Sequence, residues 1–350
     1  MYFIFVYSQI KKDYDMENIV GREKEISILN SVYNLGKSEF ITMYGRRRVE
    51  KTFLIRSVFK SKFTFQITGL ANASLKQQLA NFNLAISNTD TKNDYEPATD
   101  WLTAFSQLTK LLNSKKGKKI VFIDELSWFD TRNSKFIQAL EHFWNSWASA
   151  RNNIKLIVCG SATSWMINKL INNKGGLYNR ITKKIKLLPF TLNECEKYLH
   201  SKRINLNRYQ IVQSYMSIGG IPFYWDEVKP GPSAMQNIEN ICFSETGLLQ
   251  NEFKNLYRSL FNNYDKHIKI VKALAKKSKG LNRDELINQS GLPNAGSTTR
   301  LLDELEESGF IRKYIPFEKK YRNSLYQLVD FYSHFYLKFI ANTQITNTDN

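Results

Sequence analysis

The chain has 350 residues, 42% hydrophobic and 23% charged, ordinary for a globular protein with room for about two domains, each burying its own core. Lys and Arg total 50 against 32 Asp and Glu, a formal net charge of +18 that favours polyanions: nucleic acid, nucleotide phosphates or an acidic membrane surface. Three dispersed cysteines argue against a disulfide framework, the four histidines show no zinc-site spacing, and no apolar run approaches the ~20 residues of a membrane span, so a cytoplasmic location is expected.

The opening MYFIFVY is too short for a signal core and has no basic region before it. Organised sequence begins just after Met16, so residues 1–17 are expected to be an N-terminal extension. Residues 18–35 then carry Val20-Gly21-Arg22-Glu23 into a helix with Ile26, Leu29, Val32 and Tyr33 on one face. The segment reads either as a plain helix entry or as a wrap around a nucleotide base, with Gly21 and Arg22 as its contacts.

Residues 39–52, EFITMYGRRRVEKT, follow. Phe40, Ile41, Met43 and Tyr44 predict a buried strand, Gly45 breaks it, and Phe53, Leu54, Ile55 and Val58 predict a helix. Strand, glycine turn and Lys51-Thr52 at a helix start are the parts of a phosphate-binding loop, G-x-x-x-x-G-K-[ST]. One position departs from it, since Glu50 stands where the second glycine belongs.

Residues 63–67 predict a second strand, and Leu75, Leu79, Phe82 and Ile86 an amphipathic helix. After a polar loop at 87–100, Trp101, Phe105, Leu108 and Leu112 mark another helical face, and KKGKK at 115–119 reads as a solvated turn. Ile120-Val121-Phe122-Ile123 is an apolar strand ending in Asp124-Glu125. Such a strand brings one carboxylate to a sheet edge, where it can hold Mg²⁺ directly or through water, while its neighbour polarises an attacking water.

The aromatic stripe at 133–150 predicts core or interface. Residues 154–160 predict a further buried strand, with Ser161 and Thr163 at its tip as γ-phosphate sensors or helix caps. Arg180, after the Gly175-Gly176 turn, is a candidate to reach a γ-phosphate, within its own subunit or across an oligomer interface. Residues 187–190 predict a strand, and Thr191 with Glu194 a capping box. Helices follow, broken at Gly219-Gly220-Ile221-Pro222. Three helices from 266 to 308 and a hairpin of 309–314 with 324–328 predict a winged helix, its third helix offering Ser297, Thr298, Thr299 and Arg300 to a major groove. The far half of that helix is acidic, so a protein-docking role is the alternative.

Taken together, residues 18–340 resemble the archaeal-type ATPases, a branch of P-loop NTPases near the AAA+ and STAND classes. The resemblance rests on Val20-Gly21-Arg22-Glu23, Tyr44 to Val49, Lys51-Thr52, Phe122 to Glu125, Cys159-Gly160-Ser161, Ser164-Trp165-Met166, Gly219 to Pro222 and Asp330-Phe331. It implies an α/β fold: a three-layer α/β/α core with a parallel sheet (18–190), then a helical lid (191–262), a winged helix (263–330) and a tail (331–350). The nuclease-like C-terminal domain of many members is expected to be missing. ATP and Mg²⁺ are the implied ligands. Gly45, Arg46, Arg47, Arg48, Val49 and Glu50 would form the loop, Lys51 hold the β- and γ-phosphates, Thr52 and Asp124 the metal, and Glu125 the water. The alternative is a non-hydrolysing scaffold that binds DNA or protein; a nucleotide-driven regulatory switch is a third reading.

Glu50 sets the expected activity. If φ is positive there, a side chain costs about 1–3 kcal/mol. A carboxylate about 4 Å from a phosphate charge adds roughly 4 kcal/mol of repulsion at an effective dielectric near 20. Arg46, Arg47 and Arg48 are expected to offset part of this, leaving weak ATP binding and slow or absent hydrolysis.

Overall fold

Continuous apolar runs become the central strands of a parallel sheet. The computed structural model describes residues 19–173, 175–320 and 323–341. The extension at 1–17 therefore lies outside the described residues, as does the end of the chain from 342. Two units form, the first comprising residues up to Tyr44, Glu50–Gly160 and Leu170–Lys186. It runs α1 (Glu23–Asn34), β1 (Glu39–Tyr44), α2 (Lys51–Phe59), β2 (Phe63–Thr68), α3 (Leu75–Thr89), α4 (Trp101–Ser114), β3 (Lys119–Asp124), α5 (Phe136–Ser146), β4 (Ile154–Gly160) and β5 (Lys183–Lys186).

The sheet order is β2-β3-β4-β1-β5, all parallel. β3 and β4 are buried along their whole length, as expected for strands covered by helices on both faces. β4 lies between β1 and β3, with Tyr44 opposite Gly160 and Ile123 opposite Val158. The carboxyl ends of β1, β4 and β3 are thus neighbours along one sheet edge, where ligands of open α/β sheets bind. The predicted aromatic stripe is core: Trp101 meets Phe136 at 4.9 Å and Phe105 stacks on Phe143 at 5.3 Å.

Two sequence expectations change here. The strand after Arg180 is Lys183–Lys186, whereas residues 187–190 are irregular. Lys183, Lys184 and Lys186 are exposed and Ile185 is buried, the pattern of an edge strand, while Pro189 lacks the N–H a ladder needs. The other change is Lys119, buried at the start of β3 rather than solvated, with its pKa pushed down first by burial and then by Arg151.

The second unit comprises Gly45–Val49, Ser161–Lys169 and the chain from Leu187 onward. It is helical through α6 (Leu192–Ser201), α7 (Arg208–Ile218), α8 (Pro222–Trp225), α9 (Ala234–Cys242) and α10 (Glu252–Leu260). Thr191 and Glu194 form the predicted capping box of α6. Next come α11 (Tyr264–Ala275), α12 (Arg283–Ser290), α13 (Gly296–Glu307) and an antiparallel ribbon of β6 (Ile311–Tyr314) with β7 (Leu325–Leu328), the element order expected of a winged helix. α14 (Phe331–Phe335) follows directly. The stretch from Phe331 to Ile340 is therefore helical where a tail was expected. Its aromatic repeat explains the difference: Tyr332 is fully buried and donates to the Leu249 carbonyl at 2.7 Å, and Tyr336 stacks on Phe253 at 4.5 Å. Among the described residues no helix is long and apolar enough to cross a membrane.

Candidate functional site

The two halves of the predicted phosphate loop have different surroundings. Glu50, Lys51 and Thr52 belong to the first unit. The Thr52 hydroxyl donates to Asp124 Oδ2 at 2.7 Å, joining the start of α2 to the end of β3. Asp124 Oδ1 accepts the Glu125 N–H at 3.0 Å, so both carboxylate oxygens are oriented. Lys51 and Asp124 are buried, with 6% and 4% exposure. Cys159, near the end of β4, reports the same neighbourhood. Its thiol pKa is pushed well up, first by burial and then by Asp124 and Glu125, while Lys51 opposes them. Lys51, Thr52, Asp124 and Glu125 are therefore gathered at one end of the sheet, as their positions in the sequence predict.

The backbone is strained at the same places. Among the described residues, eleven non-glycine residues have positive φ, and Arg22, Arg48, Glu50 and Glu125 are four of them. Strained dihedrals of this kind cluster at functional sites. Glu50, at φ 67° and ψ 35°, caps α2 in the left-handed conformation that glycine adopts without steric cost. Glu50 thus takes the backbone conformation a glycine would take there, at the cost of strain. Gly45 is required for a different reason, because a Cβ there would lie 2.2 Å from the Leu187 carbonyl oxygen.

Gly45–Val49 packs with the second unit. Arg46 is 4% exposed, forms an ion pair with Asp330 Oδ1 and lies over the Phe310 ring at 4.2 Å. Burial opposes its charge, but Asp330 and the Tyr224 and Tyr257 hydroxyls outweigh burial and raise its pKa above the usual arginine value. Arg48 Nη1 donates to Glu252 Oε1 at 2.6 Å, and its guanidinium lies 4.3 Å from the Phe223 ring centroid. Arg47 is exposed. The three arginines expected to offset Glu50 are thus not equivalent, since two of them face carboxylates. Glu252 and Asp330 are the residues that sequence reasoning missed in this role. Glu252 has no local pattern, whereas Asp330 stands out only in the Asp330-Phe331 pair.

The remaining candidates lie in varied settings. Gly21 and Arg22 form the left-handed entry to α1, with Arg22 buried. Ser161 is buried directly after β4, and its carbonyl accepts the Thr163 N–H at 2.9 Å. Arg180 is exposed in a turn, its N–H on the Leu177 carbonyl at 3.1 Å. Of the residues expected to enter a major groove, Ser297 and Thr299 are exposed. Thr298 is buried instead, its hydroxyl on the Pro293 carbonyl at 2.7 Å, and Arg300 pairs with Glu304 at 3.1 Å. Threonine at the third position of α13 therefore ties the helix start to the preceding turn and is not available to a base edge.

Residues 19–228 match the family described as an ATPase domain predominantly from Archaea. An uncharacterised protein of Methanocaldococcus jannaschii is 25% identical over 92% of this chain and 68% of its own length. An uncharacterised ATP-binding protein of the same organism is 39% identical over 49 residues, 14% of this chain and 83% of that protein. Among solved structures, the Walker-type ATPase of Pyrococcus abyssi superposes with a TM-score of 0.68 at 18% identity, covering 94% of this chain and 98% of that one. The ORC2 protein of Aeropyrum pernix, in ADPNP and ADP complexes, gives 0.57 at 14% identity, with 95% of each chain covered.

Proposed function

The chain belongs to the family of ATPase domains found predominantly in Archaea, and from that premise we propose that it binds ATP with Mg²⁺ and hydrolyses it slowly. The single observation that carries the proposal is the Thr52 hydroxyl on the Asp124 carboxylate at 2.7 Å, beside a buried Lys51. Hydroxyl and carboxylate are the hard oxygen donors that Mg²⁺ takes, so the residues present fit the ion. Bound Mg²⁺ would neutralise charge on the phosphates. In this reading Lys51 binds the β- and γ-phosphates, and the loop backbone from Gly45 to Thr52 supplies N–H donors. Glu125 orients the attacking water, with its backbone in the left-handed region at φ 48° and ψ 50°. Ser161 and Arg180 serve the γ-phosphate, and Gly21 with Arg22 the base. Glu50 places a carboxylate beside the polyphosphate and lowers both affinity and turnover.

The test is Mg²⁺-dependent ATP hydrolysis by purified wild type and Glu50→Gly, with Lys51→Ala and Asp124→Ala made in each. Turnover is expected to be higher in Glu50→Gly and to vanish in every Lys51→Ala and Asp124→Ala protein. Hydrolysis that survives Lys51→Ala would place the chemistry elsewhere.

A further inference from the structure

We propose that Glu252 and Asp330 are positioning residues of the phosphate loop, and that Arg48 and Arg46 are its anchors rather than phosphate ligands. The inference rests on the nucleotide reading above and adds how the loop is held.

The loop leaves β1 at Tyr44 and enters α2 at Lys51, both in the first unit, while Gly45–Val49 packs with the second. Two side chains of that stretch are tied down. Asp330 is occupied on both oxygens: Oδ1 takes Arg46, and Oδ2 accepts the Ser333 N–H at 2.8 Å as the cap of α14. Ser333 shares a hydrogen bond with the Tyr257 hydroxyl at 2.9 Å, and the Tyr257 ring lies 4.7 Å from Phe310, the ring that covers Arg46. Through Nη1, Arg46 thus ends in a buried network of Asp330, Ser333 and Tyr257. Glu252, 7% exposed, holds Arg48 at the first turn of α10, and Phe223 and Tyr224 present rings to the same guanidinium at 4.3 and 6.0 Å.

A guanidinium on a carboxylate with an aromatic ring on its face is both neutralised and oriented. Anchored in this way at Arg46 and Arg48, the backbone between them is held at both ends. Arg48 itself is in the left-handed conformation, at φ 67°, which places a bend between the anchor and Lys51. The loop amides that would face phosphate are therefore set by carboxylates 204 and 284 residues away in sequence.

Two roles for Arg48 predict opposite results in a charge exchange. If Arg48 is an anchor, Arg48→Glu combined with Glu252→Arg rebuilds the pair and the loop. If Arg48 touches phosphate, a glutamate there repels it and no partner change helps. MgATP binding is measured by calorimetry in the Glu50→Gly background, for each single reversal and for the double, with thermal unfolding in parallel. Each single reversal is expected to weaken MgATP by about tenfold, and the double to recover to within about threefold, a coupling in the range found for contacting pairs. Should either reversal fail to fold, Glu252→Gln and Arg48→Lys replace it, each expected to weaken binding by about threefold or more. A double as weak as Arg48→Glu alone overturns the proposal. So do variants that unfold at lower temperature while binding MgATP as before, because the pair would then serve stability only. Absence of MgATP binding in the Glu50→Gly parent removes the nucleotide reading itself, an outcome distinct from both.

Discussion

Glu50 is the residue at which the loop sequence departs from its pattern. It stands in the left-handed region at φ 67° and ψ 35°, where a side chain costs about 1–3 kcal/mol. Replacement by glycine removes that strain but adds conformational freedom to the unfolded chain, roughly 0.5–1 kcal/mol. Glu50→Gly is therefore expected to raise stability by about 1 kcal/mol and the melting temperature by about 2 °C or more in the absence of nucleotide. A scan of the two proteins checks this, and a lower melting point for Glu50→Gly would mean that Glu50's side chain contributes more than its backbone costs. Two of the three neighbouring arginines are paired with carboxylates. Arg46 and Arg48 face Asp330 and Glu252 and contribute near-neutral pairs rather than free positive charge. Sequence alone counted three arginines equally, because nothing in GRRRV indicates which side chains turn toward distant acids.

At the scale of elements, helices α11 and α13 are joined by a polar bridge through Glu304. His267 Nε2 lies 2.8 Å from Glu304 Oε2, its ring stacks on Phe261 at 4.0 Å, and Arg300 donates to Glu304 Oε1 at 3.1 Å. Burial would raise the Glu304 pKa, but His267 and Arg300 outweigh it and hold it below the usual glutamate value of 4.5. The unfolded chain binds this proton at the higher pH, so the bridge contributes fully above that value. Its contribution is lost as pH falls through the lower folded value. Stability of the wild type is expected to fall below about pH 4.5 more steeply than that of Glu304→Gln, and chemical denaturation across that range compares the two slopes. Parallel slopes would show that the bridge adds nothing. A second pairing at this scale fixes the predicted recognition helix. Thr298 is spent on an internal hydrogen bond while Arg300 stays exposed beside Glu304, a difference that helical periodicity does not show.

For the whole molecule, the parts legible in sequence are those with local causes. β1, β3 and β4 are continuous apolar runs because helices cover both faces of the sheet, and the turn chemistry of Gly45, Lys51 and Thr52 marks the loop. Asp124-Glu125 follows from its place at a strand end. β5 was displaced by several residues, since Lys183-Lys184-Ile185-Lys186 shows one apolar residue beside the more strand-like Leu187-Leu188-Pro189-Phe190. The anchorage of the loop was not legible at all, because its carboxylates lie 204 and 284 residues away. Sequence and fold together support the proposed phosphate loop, with Glu50 in place of its second glycine. A titration of MgATP into wild type and Glu50→Gly tests that claim most directly. The account predicts weak binding by wild type and affinity at least about tenfold higher, about 1.4 kcal/mol, for Glu50→Gly. Equal micromolar affinity in the two proteins would contradict it.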